Sequence, residues 1–208
     1  MNLLILGATG RTGRRLTELA LEGGHHVTAF VRDQGKLNIQ HEHLSVIQGN
    51  ATDRDDVLQA FAVSKPDAVL SALSTDKGTV LTDSMPHIIE AMQSHGVRRI
   101  LTIGTAGILN SRTEPGKYRY ESNESQRALT RASDEHRRAF EMLAASDLDW
   151  TVVCPTHLTD DPEEGTYRVE RDYLPEDAKK VSVGDTARFT YSQLNSDEYL
   201  RARVGIAT

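Results

Sequence analysis

The chain has a single cysteine, Cys154, among 208 residues. That excludes an internal disulfide and any metal site built from several thiolates. Excess positive charge is also missing, with 24 Lys and Arg against 30 Asp and Glu and a formal net charge of −6. A surface that tracks a nucleic-acid backbone needs clustered cations, so nucleic acid is not an expected partner. Long apolar runs are absent: nothing approaches the roughly 20 residues of a membrane span. The first apolar run, residues 3–6, is too short for the core of a signal peptide, and polar loop chemistry follows at once. The expectation is a soluble, cytoplasmic protein without a membrane partner. Histidines pair up at His25/His26 and His41/His43, but no third ligand is spaced to join them. They read as surface residues, and no metal is expected.

With 38 % hydrophobic residues and 15 glycines the chain is still ordinary for a protein that buries a core. Short runs rich in Val, Ile and Leu, at 3–6, 26–31, 44–48, 67–72, 99–103 and 150–154, read as strands buried on both faces. Stretches at 14–22, 53–61, 80–94 and 126–145 read as helices between them. Gly23, Gly24 and Gly96 stand where helices stop, and Thr52-Asp53 where one starts. A strand near 166–170, a helix near 185–194 and a last strand near 203–206 complete the pattern. Strand–helix alternation at this spacing predicts an α/β fold, a doubly wound, mostly parallel sheet with helices on both faces. The polar stretch from Gly107 to about Asn123 reads as either a lid or plain surface.

The first strand runs into GATGRTG, residues 7–13. Gly7 suits a sharp turn, Gly10 removes a side chain where backbone would approach a pyrophosphate, and Gly13 allows the helix to lie close to the sheet. A helix starting near Arg11 would aim free N–H groups and its positive end at phosphates. The spacing is G-x-x-G-x-x-G rather than G-x-G-x-x-G. A bare structural turn is the alternative, but the strand before, the helix after and the closing strand at Val31 favour nucleotide binding. Thr9, Arg11 and Thr12 belong to this loop.

Arg32 follows the second strand, 19 residues past Gly13, with Asp33 next and Lys36 nearby. An acidic residue here would take a ribose 2′-hydroxyl, whereas a guanidinium can grip a 2′-phosphate. NADP(H) is therefore favoured over NAD(H). The opposite reading leaves Arg32 solvated and gives the ribose to Asp33. Asn50 and Ala51, in QGNAT after the third strand, would flank the adenine.

GATGRTG, VRD at 31–33, AMQSHGVRRIL at 91–101 and SDEHRRAFEMLAASDLDWTVVCPTHLTD at 133–160 together resemble the atypical short-chain dehydrogenases/reductases, the NmrA-like NAD(P)-binding group and its flavin and biliverdin reductase branch. The resemblance covers nearly the whole chain. It implies one NAD(P)-binding domain over 1–208, strand order 3-2-1-4-5 with further strands beyond, and acceptor-site elements from about 105–125 and 155–208. It also implies hydride transfer from NADPH to a flavin, quinone or similar planar acceptor. By the same resemblance Thr105 and His136 fall in the acceptor pocket, and Leu73, Ser74 and Thr75 line the cofactor. Pro155, Thr156 and His157 match the loop that holds the nicotinamide. The family's aspartate after the third strand is Asn50 here, and its pocket serine is Thr105.

None of the six tyrosines (118, 120, 167, 173, 191, 199) has a lysine four residues later. The usual Tyr/Lys proton donor is thus absent. Hydride transfer to a flavin or quinone can proceed without it, because the cofactor carries that chemistry and water can supply the proton. Thr105, His136 and His157 are the candidate catalytic residues. His136 shares an apolar helical stripe with Leu129, Ala132, Phe140 and Leu143, so a core role competes with a catalytic one. For Thr105 the competing role is a turn or cap hydroxyl. Cys154, inside a strand, reads as buried and inert. The rival function is an NADP(H)-binding redox sensor that reports to a protein partner. A reductase needs a roomy acceptor pocket beside the nicotinamide, and a sensor can fill it.

Overall fold

Each of the short apolar runs becomes a strand, but the expected burial on both faces fails for 44–48, an edge strand in which no residue is fully buried. The computed structural model describes residues 1–125 and 130–208. In chain order the elements are β1 (Asn2–Leu6), α1 (Arg11–Glu22), β2 (His26–Val31), β3 (Leu44–Gln48), α2 (Arg54–Ser64), β4 (Ala68–Ser71), α3 (Val80–Ser94), β5 (Arg99–Ile103) and α4 (Arg131–Ala144). There follow β6 (Asp149–Pro155), β7 (His157–Thr159), β8 (Arg168–Arg171), β9 (Lys180–Ser182), α5 (Val183–Ser192) and β10 (Ala202–Ala207). The main sheet has the order β3-β2-β1-β4-β5-β6-β10-β8. All its pairs are parallel except β10 with β8.

Alternation along the strands divides the core in two. Leu4 and Leu6 of β1, Val69 of β4 and Ile100 of β5 join the layer that contains residues of α2, α3 and α4. Leu3, Ile5, Leu70 and Leu101 face the opposite layer, with Leu16 and Leu19 of α1 and Ala187 of α5. This is an α/β Rossmann-like sheet wound in both directions from β1. Because β1 and β4 are neighbours while the helices that follow them, α1 and α3, leave to opposite faces, a crevice opens at the carboxyl ends of β1 and β4.

Local punctuation matches the sequence reading. Gly24 and Gly96 have φ of +76° and +68° just past α1 and α3. The Asp53 carboxylate caps α2 by accepting from the N–H groups of Asp55 and Asp56. Other details differ. The helix expected from 126 begins at Arg131, and residues 126–129, including Leu129 of the expected stripe, lie outside the described residues. Two three-residue strands, β7 and β9, pair with each other and were not anticipated, being too short to show a period.

The stretch 107–123 is neither a lid nor featureless surface. It carries 3-10 turns at Ala106–Ile108 and Arg119–Glu121 and a bridge between Asn110 and Tyr118. Buried Arg203 of β10 pins it, donating to the Ile108 carbonyl and, at 2.7 Å, to Asn110 Oδ1. The Glu124 carboxylate accepts from Ser111 Oγ and from the Arg112 and Thr113 N–H groups. A loop whose polar groups are satisfied this fully behaves as part of the scaffold.

Candidate cofactor and acceptor site

Gly7 turns the chain out of β1 at φ +77°, and a Cβ there would meet the Ala72 carbonyl oxygen at 2.6 Å. Gly13 sits against the Gly7 carbonyl so closely that any Cβ would overlap it. These two positions bring the start of α1 directly beneath the loop. The helix itself is left open to an anion. Its N-cap is Gly10, which has no side-chain acceptor, and no acidic residue lies in its first turn. The contrast with neighbouring helices is informative. α2 is capped by Asp53, α5 by Ser182, and α3 by Glu135 of α4, whose Oε1 accepts from Leu81 N at 2.7 Å. Uncapped N–H groups at a glycine loop form a phosphate cradle.

A cavity of about 190 Å3 extends from this cradle across the crevice. It is lined by eight residues expected at the cofactor: Gly7, Thr9, Gly10, Arg32, Asn50, Ala51, Leu73 and Ser74. Phe30, Val31, Gly49, Ala72 and Val80 line it too and were missed. Each lies at a strand's carboxyl end or opens the following helix, and that position is the signal that finds them. Six other expected cofactor residues do not line this cavity, two of them, Pro155 and Thr156, because they line a separate one. Gly13 and Thr12 are buried beneath the loop, where they act on packing. Arg11 is exposed and ion-paired with Asp160 at 2.9 Å. Thr75 lies just beyond Ser74, outside the lining.

At the adenosine end, Arg32 and Asp33 have different fates. Asp33 accepts from Gly35 N at 3.0 Å, capping a short turn, so its carboxylate is already engaged. Arg32 stays at the cavity mouth, largely exposed, in an ion pair with Asp76 at 2.8 Å. The Asn50 side-chain Oδ1 accepts from Thr52 N at 3.2 Å, which leaves its amide NH2 for another acceptor.

Further along the carboxyl edge lies a second cavity, of about 310 Å3. Thr105 just past β5, Pro155 and Thr156 at the end of β6 and His157 at the start of β7 line one side. Arg119, Tyr120 and Glu124 of the pinned loop and Ser133 of α4 line the other. Pro155 and Thr156, expected with His157 at the nicotinamide loop, line this cavity with it. Thr105 occupies the N-cap position of a 3-10 turn, yet its side chain makes no capping hydrogen bond. The cap explanation for this hydroxyl therefore fails.

His136 is not brought into that cavity. It lines a separate narrow space of about 20 Å3 with Leu81, Met85, Ile88, Phe140 and Leu143, too small for a ring substrate. Burial pushes its pKa down to about 4. The imidazole is neutral at pH 7 and cannot deliver a proton as imidazolium. The expectation of one trio, Thr105, His136 and His157, is corrected: Thr105 and His157 share a cavity, and half-buried His136 lines a different one. Tyr120, which does line the acceptor cavity, has its pKa pushed up to about 12 by burial and by Asp134, to which its hydroxyl donates at 2.8 Å. It is a locked structural phenol, the reverse of a lysine-activated donor. Cys154 is fully buried, and burial raises its thiol to about 12. No cluster of three or more metal-ligating side chains exists among the described residues. No helix among them is long and apolar enough to cross a membrane.

Glycine cradle, uncapped helix and crevice define a dinucleotide-binding α/β protein. A family model described as NAD(P)H-binding matches residues 7–197, and the chain belongs to that family. The chain is 29 % identical over 114 residues to the 3-diazoavenalumate denitrifying reductase of a Streptomyces species. That match covers 49 % of this chain and 36 % of the relative, so the chain spans only about a third of that relative's length. Among solved structures it superposes on a Veillonella parvula short-chain dehydrogenase/reductase in complex with NADP, with a TM-score of 0.79 and 20 % identity over 99 % of this chain and 94 % of the other. A Streptococcus pneumoniae protein proposed to be an NADH-flavin reductase gives a TM-score of 0.81 and 22 % identity over 100 % and 99 %.

Proposed function

We propose that this protein is an NADPH-dependent reductase that transfers a hydride to a flavin, quinone or similar planar acceptor, in the manner of the flavin and biliverdin reductases. The observation that carries this reading is the open 310 Å3 cavity at Thr105 and His157, beside the cofactor crevice. A sensor has no use for an acceptor space there. The cradle at Gly7–Gly10 suits a pyrophosphate and Arg32 a 2′-phosphate, so the donor set fits NADP(H).

When bound, the cofactor supplies the hydride; the chain's residues supply place and surroundings. Pro155 and Thr156 form one side of the acceptor cavity. The Thr105 hydroxyl, uncommitted to a cap, donates to or accepts from a polar edge of the acceptor. His157 faces the same space from an exposed strand end, where it orients the acceptor or passes a proton from solvent. No residue here takes the role of an activated tyrosine. Acceptors whose reduction needs only hydride and a solvent proton are therefore favoured over simple ketones.

The test is NADPH consumption with FMN, riboflavin and a quinone panel, alongside direct NADPH and NADH binding. Turnover with at least one planar acceptor is expected. Tight NADPH binding without turnover on any acceptor would overturn the enzyme reading in favour of a redox sensor. Tighter NADH binding would overturn the assignment of Arg32.

A further inference from the structure

The loop from β4 to α3, residues 72–79, is fastened at its α3 end. Arg131 of α4 donates to the Gly78 carbonyl at 2.8 Å, and Glu135 holds Leu81 N. Gly78 N donates back to the Thr75 carbonyl at 2.8 Å. The tip is built differently. Asp76 and Lys77 both adopt left-handed backbone, at φ +48° and +58°, and the tip reaches over to β2 through the Asp76–Arg32 ion pair. Both partners of that pair are at least half exposed. It is therefore weak and exchangeable in water.

Arg32 is the cation at the adenosine end of the crevice, and Asp76 already occupies it. A guanidinium has donors enough for two anions. A 2′-phosphate on Arg32 would nevertheless lie within ion-pair range of the Asp76 carboxylate, and like charges at that separation repel. A 2′-hydroxyl carries no such charge. Asp33, the other carboxylate nearby, is engaged with Gly35 N and Lys36, which leaves Asp76 as the competitor. We infer that Asp76 is a specificity-determining residue that competes with the 2′-phosphate for Arg32 and so holds down the preference for NADP(H) over NAD(H). This inference rests on the reading of Arg32 as the 2′-phosphate site.

Asp76→Asn tests it cleanly, because asparagine tolerates the left-handed backbone and keeps the side chain's shape. NADPH and NADH are titrated by calorimetry against wild type, Asp76→Asn, Arg32→Gln and the double variant. Asp76→Asn should tighten NADPH binding by about two- to fivefold and leave NADH unchanged. In the Arg32→Gln background that gain should vanish. If Arg32→Gln lowers the NADPH preference while Asp76→Asn leaves it unchanged or lowers it, the competition is disproved and the Arg32 reading survives. Equal shifts for NADPH and NADH disprove it likewise. If Arg32→Gln leaves the preference intact, the phosphate assignment fails and the inference falls with it.

Discussion

The two ends of the crevice are built by opposite means. At the phosphate end, seven consecutive residues, Gly7 to Gly13, do most of the work, and they do it with backbone: a left-handed turn, a close crossing and an uncapped helix start. At the acceptor end the cavity wall combines side chains from β5, the 107–125 stretch, α4 and β6. That wall keeps its shape because Arg203, from the last strand, ties the loop down. One end is therefore rigid through local geometry and intolerant of added atoms. The other is assembled by distant partners, and single side chains there can change without disturbing the backbone.

Adding one carbon at the tightest point of the local end gives the largest effect. A Cβ at residue 13 would overlap the Gly7 carbonyl, a backbone atom that cannot move without opening the loop. Gly13→Ala should cost about 3 kcal/mol in urea denaturation and abolish measurable NADPH binding. A variant with wild-type stability and affinity would mean that the close crossing is not what shapes the cradle.

His136 tests the border of the other end. Its folded pKa of about 4 lies below the value near 6.5 of an unfolded histidine. Above pH 6.5 both states are neutral at this residue and no penalty arises. As the pH falls toward 4 the unfolded chain takes up a proton that the folded chain refuses, so stability is lost. Between pH 7 and 4.5 this group should remove at most about 2 to 3 kcal/mol, and His136→Gln should lose correspondingly less over that range. The same variant should turn over near the wild-type rate at pH 7. A loss of about a hundredfold would return His136 to the catalytic set.

The difference in construction also explains what could be seen before any coordinates. The six apolar runs read as strands because parallel strands buried on both faces are continuous in Val, Ile and Leu, and helix ends were marked by Gly24, Gly96 and Asp53. The glycine loop was legible because each of its residues answers a local backbone demand. The resemblance implied acceptor-site elements at about 105–125, but Arg119, Tyr120 and Glu124 were not singled out as cavity residues, since nothing local within that stretch tells which side chains face the space. Its position follows from Arg203, in a strand otherwise apolar. A charged side chain amid ARVGIA was the available signal, because a buried arginine must find acceptors, and these are the Ile108 carbonyl, Asn110 and the Asp172 carboxylate. His136 was misplaced for a related reason. A helical period puts a residue on a face, but the choice between core and cleft depends on the neighbouring helix.

Gly10→Asp offers a sharper cut at the phosphate end. Gly10 has φ −78° and ψ 167°, which any residue can adopt, and a Cβ there would approach only the Gly7 carbonyl, at 3.3 Å. An aspartate would cap α1 as Asp53 caps α2. Stability should hold or rise by a few tenths of a kcal/mol, while NADPH binding weakens by about tenfold or more, because the carboxylate takes the N–H groups and repels phosphate. Unchanged affinity by calorimetry would show that the α1 N-terminus is not the phosphate cradle.

The smallest effect belongs to the acceptor end and isolates one hydroxyl. Thr105 makes no capping hydrogen bond, so Thr105→Val removes no intramolecular bond and keeps the side chain's volume. Stability should stay within about 0.5 kcal/mol of wild type. If the hydroxyl meets the acceptor, its loss costs one hydrogen bond there, about 1 kcal/mol or roughly fivefold in kcat/KM, with NADPH affinity untouched. A drop in stability without a change in kcat/KM would make Thr105 a scaffold residue. The chemical work of the acceptor end would then rest on His157 and the wall formed by Pro155 and Thr156.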